Sequence, residues 1–235
     1  MPVDITRYPV QQFPPMNPLI IIPVYNEWPH LRAVLDSLET SFSHLLVVDD
    51  GSEERDYLLL LKEKMIQYLS IPFNTGHWAA IQAGFRYAIY HGFNAAVSFD
   101  GDGQHLAAEI PSILHALDDG YDIVVGGDIT RAGMTKRWCW QLMNLFSDLD
   151  IKDITSGFRV YNRKAMESLL SPACLNLEYQ DLGVLFTAKT MGLRIGEVPV
   201  RMAARSAQKS RVFPGAFSIL RYLIITMIFI LARKL

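Results

Sequence analysis

Two carboxylates and an amide lie close together near the middle of the sequence, in Asp100-Gly101-Asp102-Gly103-Gln104. They directly follow Ala95–Phe99, an apolar run long enough to form a buried strand. In an open α/β sheet, ligands bind at the carboxyl ends of the strands, where this segment is expected to lie. Oxygen ligands in an Asp-x-Asp spacing suit Mg²⁺ or Mn²⁺, ions that are usually shared with phosphate oxygens. The competing interpretation is a plain turn, because Asp and Gly are also common where a chain reverses.

The C-terminal part of the chain has a charge pattern of its own. The formal net charge of the whole chain is −2, so no overall field favours nucleic acid as a partner. A basic and apolar tail on an acidic body instead suggests an anionic ligand or surface near the C-terminus. Residues 201–235 contain no Asp or Glu, and their cationic side chains are Arg201, Arg205, Lys209, Arg211, Arg221, Arg233 and Lys234.

Length and composition indicate one large domain. The chain has 235 residues, of which 50% are hydrophobic, enough for a substantial core. Cys139 and Cys174 have neither a metal-ligand nor a Cys-x-x-Cys spacing, which indicates a reducing compartment. The N-terminal stretch is polar and rich in proline and does not look like a signal peptide. We expect residues 1–18 to form an extended arm.

Strand-like and helix-like segments alternate along the chain, which predicts βαβ units and a mostly parallel sheet. Asn26 is expected to cap the first helix, and Met65 is expected on the inner side of the second. Strands are predicted at 19–24, 44–48, 68–71, 95–99, 122–125 and 194–200, with a short one after the loop that starts at 153. Helices are predicted at 27–38, 53–68, 78–91, 107–117, 138–149, 163–170 and 179–191.

An apolar segment, Phe217–Ala232, lies near the C-terminus and contains one charge, Arg221. As a helix it would be about 24 Å long, short of the ~30 Å hydrocarbon core of a bilayer. Arg221 at one end, with Arg233 and Lys234 at the other, could anchor it at a membrane interface. We therefore expect a membrane-associating helix over residues 213–235. A helix that packs in an oligomer or in the core is the alternative.

Six motifs, taken together, resemble the family-2 glycosyltransferases, and within them the polyprenyl-phosphate sugar synthases similar to dolichyl-phosphate mannosyltransferase. They occur in the order found in that family. The resemblance implies a GT-A fold over residues 19–212, a Rossmann-like, mostly parallel sheet flanked by helices. The motifs are IPVYNE at 22–27, VVDDGS at 47–52, NTGHWAAIQAGFRYA at 74–88, FDGDGQH at 99–105, DITSGFRVYNR at 153–163 and GLRIGEVPVRMAARSAQKSR at 192–211.

The resemblance also implies an activity, the inverting and metal-dependent transfer of a hexose from a nucleotide sugar of the GDP-mannose or UDP-glucose class. The cation, Mg²⁺ or Mn²⁺, would be held by Asp100, Asp102 and Gln104, with Asp102 most directly on it. The family often has Lys where this chain has His77. The residues expected around the nucleotide are Pro23, Tyr25, Glu27, Asp50, Gly76 and Asp100.

The acceptor implied by this branch of the family is a polyprenyl phosphate at the cytosolic face of a membrane. A lipid phosphate is already ionised, so it needs cations to place it rather than a general base. Arg205 and Ser210 match the R-x₄-S pattern of the branch, and guanidinium and hydroxyl donors suit a phosphate. Gln208 stands where the family usually has Gly. Further cations that could contact the phosphate are Arg131, Lys136, Arg137, Lys209 and Arg211.

Two other functions remain open. Transfer to a sugar hydroxyl, in polysaccharide or lipopolysaccharide synthesis, needs a general base. Asp181 lies where many hydroxyl-directed members keep their catalytic Asp, although its EYQD context departs from their usual Glu-Asp pair. A nucleotide-sugar-binding subunit without turnover is the third hypothesis, against which the Asp100/Asp102 pair argues. The protein is expected in the cytoplasm, peripheral to or anchored at the inner membrane face, and a homo-oligomer is compatible with its apolar segment.

Overall fold

The computed structural model describes residues 16–53, 57–128, 130, 149–175, 177 and 181–203. Within these ranges a seven-stranded sheet carries helices on both faces. The strands are β1 (Pro18–Val24), β2 (Leu45–Asp50), β3 (Gln67–Ile71), β4 (Ala95–Ser98), β5 (Ile123–Gly127), β6 (Arg159–Asn162) and β7 (Ile195–Pro199). The helices are α1 (Trp28–Glu39), α2 (Tyr57–Glu63), α3 (His77–Tyr90), α4 (Ile110–His115), α5 (Arg163–Leu169), α6 (Pro172–Leu175) and α7 (Leu182–Thr190), with a 3₁₀ turn at Ala107–Glu109.

The strand order in the sheet is β3-β2-β1-β4-β6-β5-β7. All neighbouring strands are parallel except β6, which runs antiparallel to both β4 and β5. The predicted α/β architecture with a mostly parallel sheet is therefore confirmed. Because β1, β2 and β4 are parallel neighbours, the loops that follow them emerge at one edge of the sheet. The predicted site residues of these three loops are consequently brought together.

The interior strand β1 is buried on both faces, which explains its unbroken apolar sequence. Leu19 and Ile21 belong to the core beneath α3, α5, α6 and α7, while Ile20, Ile22 and Val24 belong to the core beneath α1, α2 and α4. Helix α3 lies very close to the strand: a Cβ added at Gly84 would come within 2.6 Å of the Ile21 side chain. The two cores hold the strand rigidly, and with it the loop at its end.

The expectation that Asn26 caps α1 is wrong. Helix α1 begins at Trp28 after Glu27, and no side chain caps it. Asn26 instead adopts a left-handed conformation, with φ of 53°. Its backbone N–H donates to Ser52 Oγ (2.9 Å), and its Oδ1 accepts from the backbone N–H of Glu53 (3.1 Å). The Asn26 amide therefore joins the loops after β1 and β2, a long-range contact that local helix signals do not reveal.

The second helix is also shorter than predicted. Helix α2 spans Tyr57–Glu63, and Met65, expected on its inner side, is 86% exposed. Met65 has φ of 53°, so the helix cannot continue through it. The chain must reverse here to enter β3 only two residues later. The helix therefore ends although the apolar residues continue with a helical spacing.

Several expectations lie outside the described residues. These are most of the arm, at 1–15, the helix at 138–148, Cys139, and the C-terminal helix at 213–235. Pro18, assigned to the arm, opens β1 and pairs in register with Ala95. In the part of the chain that is described, none of the helices is both long and apolar enough to cross a membrane.

A buried carboxylate joins three elements at the end of the sheet away from this loop cluster. Asp122, just before β5, accepts hydrogen bonds from the backbone N–H of Arg194 (2.8 Å), Asn162 Nδ2 (2.9 Å) and Lys164 Nζ (3.0 Å). Burial by itself would raise the pKa of the Asp122 carboxyl group. The three hydrogen bonds and the Lys164 charge outweigh burial, so this pKa lies below its ordinary value. The folded state therefore favours the ionised form.

We expect Asp122→Asn to lower the free energy of unfolding at pH 7 by about 1–3 kcal/mol, because donors are left imperfectly paired. The carboxylate stabilises the fold fully above the ordinary Asp pKa of about 3.9 and loses this effect as the pH falls through its lower folded-state value. Urea unfolding at several pH values measures the difference between wild type and variant, which should shrink in acid. Asp118→Asn, at an exposed position, is the control; a difference that persists unchanged in acid would rule out the charge as its source.

Candidate active site

The loop after β2 is tied to the start of α3 by Asp50. Its Oδ1 accepts from the backbone N–H of Thr75 (2.8 Å) and from the Thr75 hydroxyl (2.6 Å), and its Oδ2 accepts from the backbone N–H of Gly76 (2.8 Å). Gly76 precedes α3 with φ of 97°, a conformation that favours glycine. Asp50 is thus engaged by the protein itself, and its contact with a nucleotide base stays a prediction.

The neighbouring carboxylate, Asp49, stabilises the same loop. It accepts from the backbone N–H of Ser52 (3.0 Å) and from the Tyr57 hydroxyl (2.6 Å). Asp49 is buried, and Tyr57 begins α2. The pair fixes the turn after β2 against the helix that follows. Asp49 therefore has a structural role here, in agreement with its interpretation as a turn cap.

The loop after β1 lies against the Asp100–Gln104 turn. A Cβ added at Gly101 would come within 2.7 Å of Val24 Cγ1 and 3.8 Å of Glu27 Oε2. Glycine at 101 therefore permits the turn to touch the end of β1 and to lie beside the Glu27 carboxylate. Tyr25 is 37% exposed, whereas Pro23 is buried within β1. Of the residues predicted to line the nucleotide, Pro23 through its carbonyl and Glu27 through its carboxylate both lie beside Gly101 of the acidic turn.

Two imidazole rings flank the Asp100 side chain. Its Oδ2 lies 3.5 Å from His105 Nε2, and its Oδ1 lies 3.8 Å from His77 Nε2. The backbone N–H of Asp100 donates to His105 Nδ1 (2.9 Å). Within the described ranges, Oδ1 of Asp100 is buried and has no hydrogen-bond partner. The carboxylate therefore keeps one acceptor that the described protein does not use.

The other two predicted metal ligands, Asp102 and Gln104, are hydrogen-bonded to each other. Asp102 Oδ1 accepts from the backbone N–H of Gln104 (2.9 Å), and the Gln104 side-chain amide donates to Asp102 Oδ2. Across the described residues, no group of three or more His, Cys, Asp or Glu side chains is arranged to hold a metal by itself. Two carboxylates and an amide suit Mg²⁺ or Mn²⁺ when phosphate oxygens complete the coordination. The donor set fits a cation shared with a diphosphate.

The loop before β6 forms a wall beside Asp100. A Cβ added at Gly157 would come within 2.8 Å of Asp100 Oδ2, and the Gly157 carbonyl accepts from Ser98 Oγ (2.6 Å). The loop is held by Arg159, fully buried, which donates through Nε to Ser156 O (2.8 Å) and through Nη2 to Ile154 O (3.0 Å). These roles were not foreseen; the only sequence signal is the SGFR motif, whose contacts depend on the tertiary fold.

The segment that leads into the basic stretch runs next to the acidic turn. Met202 forms an antiparallel bridge with His105, and the backbone N–H of Ala203 donates to Gln104 O (2.8 Å). The exposed Arg201 donates through Nε to the buried carboxylate of Glu109 (2.8 Å). The chain is thus anchored beside the site just before the predicted phosphate-binding residues. Those residues lie outside the described ranges, namely Arg131, Lys136, Arg137, Arg205, Lys209, Ser210 and Arg211.

Asp181 has a structural role in the described chain. It precedes α7, and its Oδ1 accepts from the backbone N–H of Gly183 (3.0 Å), a helix N-cap. This contact agrees with the interpretation of Asp181 as a helix-terminal carboxylate. Its predicted role as a general base stays a prediction.

Comparison with known proteins decides the family. The sequence model described as "Glycosyl transferase family 2" matches residues 19–170. The chain belongs to glycosyl transferase family 2. The match contains the loops after β1, β2 and β4 and the loop before β6.

Curated relatives cover most of this glycosyltransferase. The polyprenol monophosphomannose synthase of Mycolicibacterium smegmatis is 29% identical over 217 residues, which are 85% of this chain and 82% of that protein. The undecaprenyl-phosphate mannosyltransferase of Micrococcus luteus is 28% identical over 217 residues, covering 85% of this chain and 89% of that protein. The UDP-N-acetylglucosamine–dolichyl-phosphate N-acetylglucosaminyltransferase of Methanococcus voltae is 28% identical over 213 residues, covering 77% and 84%.

Solved structures confirm the fold. Glucosyl-3-phosphoglycerate synthase of Mycobacterium tuberculosis, in complex with phosphoglyceric acid, superposes with a TM-score of 0.71 at 20% identity, covering 92% of this chain and 80% of that one. Its complex with Mn²⁺, UDP-glucose and phosphoglyceric acid gives a TM-score of 0.68 at 21% identity, with the same coverage. At such identities the likeness shows the fold alone, and the GT-A-like α/β architecture is confirmed.

We expect Gly157→Ala to reduce sugar transfer by about 10–100-fold while the protein stays folded, because the new methyl group must displace the Asp100 carboxylate and misplacements of about 1 Å are that costly. Transfer rate and thermal unfolding, measured on the same preparation, check this. Ser98→Ala removes the hydrogen bond to the Gly157 carbonyl without adding an atom and is the companion variant. Wild-type turnover by Gly157→Ala would show that the wall does not position Asp100.

Proposed function

We propose that this glycosyltransferase moves a hexose from a nucleotide sugar to a polyprenyl phosphate, with inversion at C1. The observation that carries the proposal is the set of relatives spanning most of both chains, whose names specify polyprenol, undecaprenyl-phosphate and dolichyl-phosphate acceptors. Two of these names specify mannose and the third N-acetylglucosamine, so the acceptor class is the feature that all three share. We place the reaction at the cytosolic face of a membrane, where such lipids present their phosphates.

The donor binds at the carboxyl ends of β1, β2 and β4. Asp100, Asp102 and Gln104 hold Mg²⁺ or Mn²⁺, and the convergence of Asp102 with Gln104 supports this assignment. When bound, the cation neutralises the charge that grows on the departing nucleoside diphosphate. Relatives of the fold have been crystallised with Mn²⁺ and UDP-glucose, which supports the same choice of metal and donor class.

The nucleotide lies between the loops after β1 and β2. Glu27 accepts a hydrogen bond from a ribose hydroxyl, a role supported by its place beside Gly101. Asp50 accepts from the base, and its bonds to Thr75 and Gly76 keep the carboxylate fixed for that contact. The remaining residues of the nucleotide site are Pro23, Tyr25 and Gly76.

The acceptor phosphate is placed by the basic stretch that follows β7. Support comes from the hydrogen bond of Ala203 to Gln104, which anchors the chain at the acidic turn two residues before Arg205. Arg205 binds the phosphate, with Ser210, Arg211 and Arg131 as further donors. The phosphate oxygen attacks C1 from the face opposite the leaving diphosphate and needs no general base, because it is already ionised.

We expect Asp102→Asn to lower transfer by at least ~10²-fold, since an electrostatic contact with developing charge is typically worth about 3 kcal/mol or more. The substitution keeps the shape of the side chain, so thermal unfolding should stay near that of wild type. Initial rates over a range of Mn²⁺ concentrations check the effect, with Asp119→Asn, at an exposed position, as control. Transfer by Asp102→Asn at the wild-type rate would exclude it as a metal ligand.

Arg205→Ala and Asp181→Asn separate the two acceptor classes. We expect Arg205→Ala to lose about 10–100-fold in transfer to polyprenyl phosphate, equivalent to one charge-assisted contact of ~1.5–3 kcal/mol. Asp181→Asn should be mild, because an ionised phosphate needs no base. Arg86→Ala, exposed on α3, is the matched control.

Both variants are assayed side by side on polyprenyl phosphate and on a glycan acceptor. Nucleotide affinity, measured by calorimetry, should change little in either. An active Arg205→Ala beside an inactive Asp181→Asn would overturn the lipid-phosphate proposal in favour of transfer to a sugar hydroxyl.

A further inference from the structure

A buried histidine, His105, lies directly against Asp100. Its side chain is 4% exposed. The ring stacks on Phe158, with centroids 4.9 Å apart and planes at 26°, and meets Phe99 edge-on at 5.4 Å. Its backbone is bridged to Met202. The ring is therefore fixed by packing on two aromatic neighbours and by its own main chain, so its two nitrogens have defined directions.

Both ring nitrogens face the same residue. Nδ1 accepts the backbone N–H of Asp100 at 2.9 Å, so in the neutral ring the proton resides on Nε2. Nε2 lies 3.5 Å from Asp100 Oδ2. One imidazole thus hydrogen-bonds to the main chain of Asp100 and lies within 3.5 Å of its carboxylate.

The opposite side of the carboxylate is closed by backbone. Gly157 leaves no room for a methyl group between itself and Oδ2 of Asp100. The carboxylate therefore lies between this wall and the imidazole. In metal sites, groups that orient a ligand from behind typically govern affinity or activity by 10–100-fold.

We propose that His105 is a positioning residue: its Nδ1 holds the main chain of Asp100 while its ring lies against the carboxylate, which orients Asp100 for the bound cation and donor, so the ring's role is polar rather than only apolar packing. The inference rests on the proposed function, because Asp100 acts through the donor site. It extends that function to a residue which touches neither the cation nor the sugar.

Two substitutions separate the polar role from packing. His105→Phe keeps an aromatic ring between Phe99 and Phe158 but removes both nitrogens. His105→Asn loses the ring but keeps an acceptor near the position of Nδ1. His115→Phe is the matched control, because His115 is exposed on α4 and pairs with Asp118 away from the site.

The full chain is titrated with Mn²⁺ by calorimetry in the presence of GDP or of UDP, whichever the wild type binds, and thermal unfolding is recorded for every variant. We expect His105→Phe to weaken Mn²⁺ binding about 10–100-fold with little change in the unfolding temperature. His105→Asn should bind Mn²⁺ nearly as well as wild type although it unfolds at a lower temperature. The reverse order, with His105→Phe binding normally and His105→Asn not, would overturn the proposal.

Two further measurements keep the inference separate from the proposed function. Nitrogen NMR of the imidazole in the wild type should show the Nε2–H tautomer without any metal, and an Nδ1–H tautomer would overturn the inference even if a variant fails to fold. In transfer assays, His105→Phe should lower kcat without changing the KM for polyprenyl phosphate. If the wild type uses only a glycan acceptor, the proposed acceptor is wrong, whereas the Mn²⁺ and tautomer results still test the role of His105. A wild type that binds neither nucleotide with Mn²⁺ overturns both.

Discussion

Burial of β1 on both faces is the constraint on which the candidate site depends. A strand enclosed by two apolar cores cannot shift along or across the sheet without exposing one of them. Its parallel neighbours β2 and β4 are held in register with it, with Val24 opposite Asp49 and Ile21 opposite Ser98. The loops at the ends of these strands therefore carry their polar side chains to one place. The loops carry the polar side chains of the candidate site, and the buried strands fix the positions of those loops.

Close backbone approach is the second requirement of the site. At Gly101 the acidic turn touches the loop after β1, and at Gly157 another loop touches the Asp100 carboxylate. At both positions a Cβ atom would come within 2.8 Å of a neighbouring side chain, so only glycine leaves room for the contact. Buried polar groups then complete the support, since Arg159 donates to two loop carbonyls. A rigid surround of this kind lets charged groups act without first reorganising.

The sequence predicted the sheet better than it predicted the surroundings of the site. Apolar runs such as Ala95–Phe99 marked the strands to within about two residues, because burial on both faces demands unbroken hydrophobicity. Asn26 was assigned to a helix cap, whereas it bonds to a loop that is distant in sequence. Met65 follows the helical period but lies in a reversal.

The residues around Asp100 carry weaker signals. An imidazole five residues after an aspartate is equally compatible with an exposed surface, and the burial of His105 follows only once Phe158 is folded against it. The same holds for Arg159, whose charge alone predicts exposure, although the structure buries it completely. Motif resemblance found the acidic turn, whereas the wall at Gly157 beside it comes from a segment more than fifty residues away in sequence.

The reversed direction of β6 has a mechanical consequence. An antiparallel strand begins at the edge where its parallel neighbours end, so Arg159 lies beside the acidic turn while Asn162, three residues on, lies in the hydrogen-bond cluster around Asp122. The strand is thus a short strut between the two ends of the sheet. A slip of one residue would turn Arg159 to the opposite face and free the loop that it holds. The hydrogen bonds around Asp122 thereby help to hold the loop beside Asp100, although the two lie at opposite ends of β6.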